Sequence, residues 1–441
     1  MIPEGFSEVD ARFNLKVRKW FLAGLTLLSP LTALKVSELQ SVEIYSLIAL
    51  AITGAALFRN DFRIRASADV LSLFKLYSVF LAITALFAIF SLRLHTYPIP
   101  GTPLLKHAPF LSIARIVQFI IVISSLLITT ALIAFRPSLC ALVAQCYVYG
   151  GIVSCAYGIA SAAALFAGVH LGGAYGSDHR IRGFFVEGGP FGVYLISVIL
   201  VCLFRRHVLC KGDPRAYWLQ LILFFVTLIG ARSKAGILLG ILLLLYYMFV
   251  KKKMRYVVAA IPLFLILAVS FHLTAQLRSY AEDYLNFQKL VQKHPNDTDL
   301  IEGRVMAAIL VPIMVAHHPI AGIGIGNYSL QRNNPHILGP LPMAPGWDLP
   351  GLGLLGYAAE LGVPLLIYLY WLLWRPVSIA RRRFASPLVL VIAAYQTFAH
   401  TLGVQPTFVY PWIVSAIALG YCLTASGSGS HICSGAKNAA L

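Results

Sequence analysis

The sequence predicts an all-α protein: a polytopic membrane helix bundle of about 12 transmembrane helices, interrupted by one long, partly helical loop on the outer side. Three observations lead there. The 441 residues are 59% hydrophobic and 12% charged, with a mean hydropathy of +0.79, and a water-soluble domain of that composition would expose large apolar patches. The apolar residues gather in runs long enough to cross a bilayer, which takes about 20 residues of helix. Basic residues fall in short clusters between those runs.

Taken in order, the expected spans lie near 20–37, 41–58, 70–92, 110–135, 139–168, 188–204, 216–230, 235–250, 256–274, 352–374, 385–402 and 407–424. Cationic loops tend to stay on the cytoplasmic side. With the N-terminus inside, most of the 35 basic residues fall in cytoplasmic segments, among them Arg205, Arg206 and Lys211, Lys251 to Lys253, and Arg381 to Arg383. Both termini are then cytoplasmic, and the formal net charge of +18 is chiefly a topogenic signal. The charge forms no basic, aromatic-interleaved face, which excludes nucleic acid as a partner and leaves anionic membrane lipids. The seven cysteines lack metal-type spacing, so neither a disulfide framework nor a zinc site is indicated. No cleavable signal peptide is expected, because the first apolar run follows a charged head and is long enough to stay as a span.

These spans divide the chain into a membrane bundle over 1–274, a loop domain over 275–351, the last membrane helices over 352–424 and a flexible tail over 425–441. A loop of that length in a compact protein is usually functional or disordered. Here "YAEDYLNFQKLVQK" (280–293) and "LIEGRVMAAILVPIMVAHH" (300–318) carry apolar residues at helical spacing. "PIAGIGIGNYSL" (319–330) follows as a Gly-broken turn, and "NNPHILGPLPMAPGWDLPGLG" (333–353) as a non-helical cover rich in Pro and Gly. The "GIGIG" stretch does not join a strand to a helix, so it is not read as a nucleotide loop. His317 and His318 adjoin rather than stand at i, i+4, which argues against a metal site.

The candidate chemistry sits on the outer side. "HRIRGFFVEGGPFG" (179–192) places Arg180, Arg182 and Glu187 at the mouth of a span, and "GARSKAG" (230–236) places Arg232 and Lys234 in a short turn. Charges beside the bilayer need a polar cavity or a counter-ion, and only Glu187 and Asp178 are near in sequence. An anionic lipid-linked substrate would supply the missing charge. Guanidinium groups bind phosphate oxygens bidentately, and a diphosphate leaving group needs that stabilisation as its bond to sugar breaks. Glu187 either orients Arg182 or takes the proton of an attacking hydroxyl; His336 and Asp348, in the long loop, are alternative bases. Glu360 reads as a structural partner for an arginine, and Arg304 as a partner of Glu302 or another carboxylate. Lys75 and Arg115, inside apolar runs, line a cavity or pair across helices.

Several stretches together resemble the O-antigen ligase and polymerase superfamily, membrane glycosyltransferases of the GT-C class. An Arg followed by "GFFVEGGPFGVYL" is similar to the family's Arg-Gly-x-Phe segment before a span, and "ARSKAGILLG" to its Ser-Arg/Lys turn. "GRVMAAILVPIMVAHHPIAGIGIGNY" is similar to its Arg, apolar helix and Gly-Asn run, and "LLGYAAELGVPLLIYLY" to its Glu-Leu-Gly segment. The likeness spans roughly residues 170 to 374. It implies glycan transfer from an undecaprenyl-pyrophosphate donor at the periplasmic face of the bacterial inner membrane, with no nucleotide, metal or other cofactor. Carried over residue by residue, the phosphate-binding positions fall on Arg182 and Lys234, with Arg232 and Arg180 as neighbours. Ligases often carry a His-Asn pair about nine residues before Glu-Leu-Gly; Pro350 and Gly351 hold that place here, with Asp348 just upstream. The resemblance therefore implies an O-antigen or exopolysaccharide polymerase, with room for a chain-length regulator as a partner. The alternatives are a ligase that transfers glycan to the lipid A core in lipopolysaccharide biosynthesis, and a lipid-linked oligosaccharide flippase. Against the last, charge concentrates on one face and no internal repeat is visible.

Overall fold

The structure is a computed structural model that describes residues 8–32, 67–99, 102–175, 180–252, 303–347, 349–383 and 385–425, with a few isolated positions between 35 and 48. Among the described residues the chain is helical, apart from a two-residue antiparallel ladder, Lys35–Val36 with Leu39–Gln40, and an isolated bridge between Ala174 and Ile181. The helices are α1 (Glu8–Leu28), α2 (Ala68–Ser91), α3 (Ala108–Phe135), α4 (Pro137–Phe166), α5 (Gly188–His207), α6 (Pro214–Ala231) and α7 (Lys234–Val250). After the long loop begins come α8 (Arg304–His317), the short α9 (Tyr328–Gln331) and α10 (Pro335–Leu338), α11 (Tyr357–Leu361), α12 (Val363–Arg382), α13 (Pro387–Thr401) and α14 (Val409–Ala425).

Among the described residues, six helices, α2 to α6 and α12, are long and apolar enough to cross a membrane, and α7, α14 and most of α8 are shorter apolar helices. The expected dozen is therefore not reached by length and composition. Residues 256–274 lie outside the described residues, as does nearly all of 41–58. The span expected at 352–374 is displaced. A 3-10 turn (Gly353–Gly356) and α11 end at Gly362, whose φ is +75°, and the crossing helix is α12. Two chain segments cross here main chain against main chain. Ile323 N donates to Ala359 O at 2.8 Å and Val363 N to Pro319 O at 2.9 Å. A side chain on Gly362 would collide with the Ile320 carbonyl, and one on Gly322 (φ +65°) with that of Glu360, so only glycine meets both the angle and the space.

Local chemistry sets the helix ends. Pro137 opens α4 directly after α3, where its missing N–H costs nothing. Asp213 caps α6 by accepting from Ala216 N at 3.1 Å, and Ser233 caps α7 by accepting from Gly236 N at 3.0 Å. Between them Arg232 turns the chain with φ +46°. α5 and α7 then approach until a Cβ on Gly236 would stand 2.7 Å from the Gly192 carbonyl carbon, the close packing that small residues permit between membrane helices. α14 packs along α3 in the centre of the bundle, burying Tyr410 and Trp412. By contrast α2 and α6 leave Phe74, Val79, Leu86, Leu219, Ile222 and Ile229 exposed, faces suited to lipid.

The described part of the long loop has a core of its own, in which Met306, Leu310 and Met314 of α8 pack with Ile323, Tyr328 and Ile337. Ala359 of α11 joins that core, which fixes the loop to the membrane bundle. The helix expected over 300–318 is α8, beginning after Gly303; the one expected over 280–293 and the tail from 426 lie outside the described residues. The described cysteines are free.

Candidate functional site

A cavity of about 570 Å³ opens between the N-terminus of α5, the start of α3 and the cover formed by residues 347–353. That volume falls in the range of ligand sites, about 300–1,000 Å³. Three cations line it, Lys106 and Arg115 from the start of α3 and Arg304 from α8, together with the carboxylates Glu187 and Glu360. Gln118, Gln405 and Thr407 add neutral polar groups.

Arg304 is the first residue of α8 and is exposed. Glycines make room for it on two sides: its Cγ lies 3.1 Å from where a Cβ on Gly351 would be, and its Nη2 lies 3.9 Å from the same point on Gly189. Its guanidinium thus reaches over the N-terminus of α5, the positive end of a helix dipole. Arg304 makes no hydrogen bond or ion pair with another described residue. Arg115 projects from the first turns of α3, donates from Nη1 to Gln118 Oε1 at 2.8 Å, and packs beneath Gly326. Lys106 ends the 3-10 turn that leads into α3 and holds its ammonium 4.9 Å from the centre of the Trp347 ring in the cover, a cation–π contact.

Glu360 is buried, and main-chain amides hold it. Its Oε2 accepts from Gly326 N at 3.0 Å and its Oε1 from Tyr328 N at 3.3 Å. Burial pushes its pKa up, while those two N–H groups and the nearby Arg115 charge pull it down. The expected arginine partner is thus present, but the amides of the glycine-rich turn are its bonded partners. Ser112 Oγ donates to Ile325 O at 2.9 Å, and Asn327 Nδ2 to Ser91 Oγ at 3.3 Å, so α2, α3 and α11 all anchor this turn.

The cations singled out from the sequence stand beside the cavity. Arg180 donates from Nε to Ala231 O at 2.9 Å. Arg182 donates from Nε to Gly172 O at 2.9 Å and from Nη1 to Val186 O at 3.0 Å. Both guanidinium groups lie over Tyr175, at 5.5 and 4.9 Å. They brace the hairpin before α5 against the end of α6, and neither lines the cavity. Arg232 and Lys234 are exposed and do not line it either. Their turn nevertheless adjoins the wall, because Ala235 lines the cavity and Ser233 Oγ donates to Gly189 O at 2.9 Å. Glu187 does line it, exposed at the N-cap of α5 with no capping bond to its own helix. His336 is exposed on α10, outside the lining. Asp348 and Asp178 lie outside the described residues, although Trp347 and Leu349 on either side of Asp348 line the cavity.

Lys106 and Gln118 are not among the residues that the sequence singles out, and Arg304 reads there as a partner of Glu302 or another carboxylate; Glu302 lies outside the described residues. The one available signal was Arg115, a charge inside an apolar run. Among the described residues no group of His, Cys, Asp or Glu is arranged to hold a metal ion.

Residues 219–370 match the family model described as O-Antigen ligase, which supports the O-antigen ligase/polymerase superfamily for this chain. The matched segment includes Arg232, Lys234, Arg304, His336 and Glu360; Lys106, Arg115, Arg180, Arg182 and Glu187 precede it. No curated protein matches the chain.

Proposed function

We propose that this membrane protein is a glycosyltransferase of the bacterial inner membrane that polymerises undecaprenyl-pyrophosphate-linked oligosaccharide repeat units at the periplasmic face, with the 570 Å³ cavity as the donor site. One observation carries the reading: Lys106 and Arg115 at the start of α3 and Arg304, distant from them in sequence, converge with the α5 N-terminus on one cavity at one end of the bundle. Helix N-termini and guanidinium forks are the groups that bind phosphate oxygens. Arg232 and Lys234 on the adjoining turn collect the anionic headgroup from outside, and Arg180 and Arg182 hold the wall that carries Glu187.

In the proposed step an acceptor sugar hydroxyl attacks the anomeric carbon of the donor. The new carbon–oxygen bond forms as the bond to diphosphate breaks, the bonding pair leaves with the diphosphate, and the hydroxyl proton passes to a carboxylate. The three cations stabilise the charge that grows on the leaving group. Glu187 supplies the base from the cavity wall; Asp348, between two lining residues, and His336 are the alternatives.

The matched family description favours a second reading, a ligase that uses the same donor and a different acceptor, the lipid A core. Purified protein in detergent, given lipid-diphosphate-linked repeats, is expected to yield a ladder of longer glycans, which also excludes transport as the sole activity. Transfer to lipid A core without elongation would replace the polymerase with the ligase, and no transfer to either acceptor would overturn both. In cells, loss of the gene should leave a single repeat on the core in a lipopolysaccharide gel; a bare core would mean the ligase.

A further inference from the structure

We infer that the opposite end of α5 carries a second anion site, one that takes the phosphate headgroup of a membrane phospholipid. α5 has 20 residues and so spans about 30 Å, which separates this site from the donor cavity by nearly the thickness of the hydrocarbon layer. At its C-terminal end a smaller cavity of about 210 Å³ is lined by Arg205, Arg206 and Lys211, with Tyr149, Tyr217 and Gln220.

The chain is folded to bring these cations together. After α5 the main chain turns back, with Leu209 N donating to Phe204 O at 3.1 Å and Lys211 N to Arg205 O at 2.9 Å. Cys210 takes a φ of +52° within that turn. Arg206 Nη1 reaches across it to Gly212 O at 3.2 Å. The cavity holds one carboxylate, Asp213, and that group is engaged as the cap of α6. Among the described residues none of the three cations forms an ion pair, so the cavity keeps a surplus of positive charge.

The surroundings select a lipid over a free anion. A cavity of about 210 Å³ has room for a phosphate headgroup. From its rim, α6 runs an exposed apolar stripe of Trp218, Leu219, Ile222, Phe225 and Ile229 along the bundle, and Val153 lies exposed one turn beyond Tyr149 on α4. A headgroup held by Arg205, Arg206 and Lys211 would lay its acyl chains on that stripe. Tyr149, which lines the cavity, and Trp218, next to Tyr217, are exposed aromatic side chains of the kind that border a bilayer. In the proposed orientation this is the cytoplasmic leaflet, where anionic lipids meet basic clusters.

The test is native mass spectrometry of the full chain released from nanodiscs that contain equal amounts of phosphatidylglycerol and phosphatidylcholine. The wild type should keep phosphatidylglycerol preferentially. Lys211→Gln, at an exposed position, should weaken that retention about fivefold with an unchanged melting temperature, and Arg205→Gln with Lys211→Gln should weaken it further. Lys251→Gln, an exposed cation at the same end of the bundle outside the cavity, should have no effect. Excess inorganic phosphate should leave the lipid in place. Equal retention of the two lipids, undiminished retention in Lys211→Gln, or displacement by inorganic phosphate would each overturn the assignment.

Discussion

Two groups of cations meet at the same end of this bundle, and they differ in where their hydrogen bonds go. Arg180 and Arg182 direct theirs at the carbonyls of Ala231, Gly172 and Val186 and stack on one tyrosine. Arg304 stands between glycines with its fork turned to open space. Both groups look alike in a string of letters. A guanidinium already bonded to main-chain oxygens braces the fold, whereas one without a protein acceptor can receive a phosphate. The comparison thus ranks cations by what their donors already touch, and not by how closely they cluster in sequence.

Arg304→Ala offers the sharpest test of that ranking. Turnover with lipid-diphosphate-linked substrate should fall by about 10²-fold or more, while the melting temperature stays near that of the wild type, because the side chain is exposed. Unchanged turnover would shift the diphosphate to the Arg232 and Lys234 turn. Arg182→Gln should show the reverse pattern. Removing its bonds to Gly172 and Val186 should cost about 1–3 kcal/mol of stability, read as a lower melting temperature, with the protein that remains folded still active. A variant that melts normally but no longer turns over would erase the distinction between the two groups.

Glu360→Gln sharpens the contrast from the side of the anions. In the folded protein burial holds this carboxyl above its ordinary 4.5, so the fold favours the protonated form. Its contribution to stability is complete below that ordinary value and is lost as pH rises through the raised one. The melting temperature of the wild type, taken relative to the Gln variant, should therefore decline as pH increases from about 4.5. A pH-independent difference between the two proteins would mean that burial does not control this group. The smallest effects belong to the rim. Arg232→Ala and Lys234→Ala should each lower kcat/KM only about two- to fivefold, and the loss should shrink at high salt, as expected for charges that steer and do not grip.

Much of the helical frame was legible before any coordinates. The apolar runs of α2 to α6 match observed helices closely. The stretch 352–374 reads as one crossing because it is apolar apart from Glu360, while Gly362 must fit against the main chain at Ile320, a contact made by residues some forty positions earlier. The cavity was harder to read. Lys106 and Arg115 meet Arg304 only when the start of α3 meets the start of α8, and nothing local to any of them signals the meeting. Glu187 was found because it adjoins a span. Arg304 was discounted because Glu302 adjoins it in sequence, and proximity along the chain says little about where a long side chain points.

The backbone contact between Gly192 and Gly236 has a consequence for traffic into the donor cavity. It seals the seam between α5 and α7 along the wall that bears Ala235, so a prenyl tail cannot thread sideways through that seam. Under the proposed function, a lipid-anchored donor would come in from the flank where Leu104 and Leu349 are exposed, a one-sided doorway among the described residues.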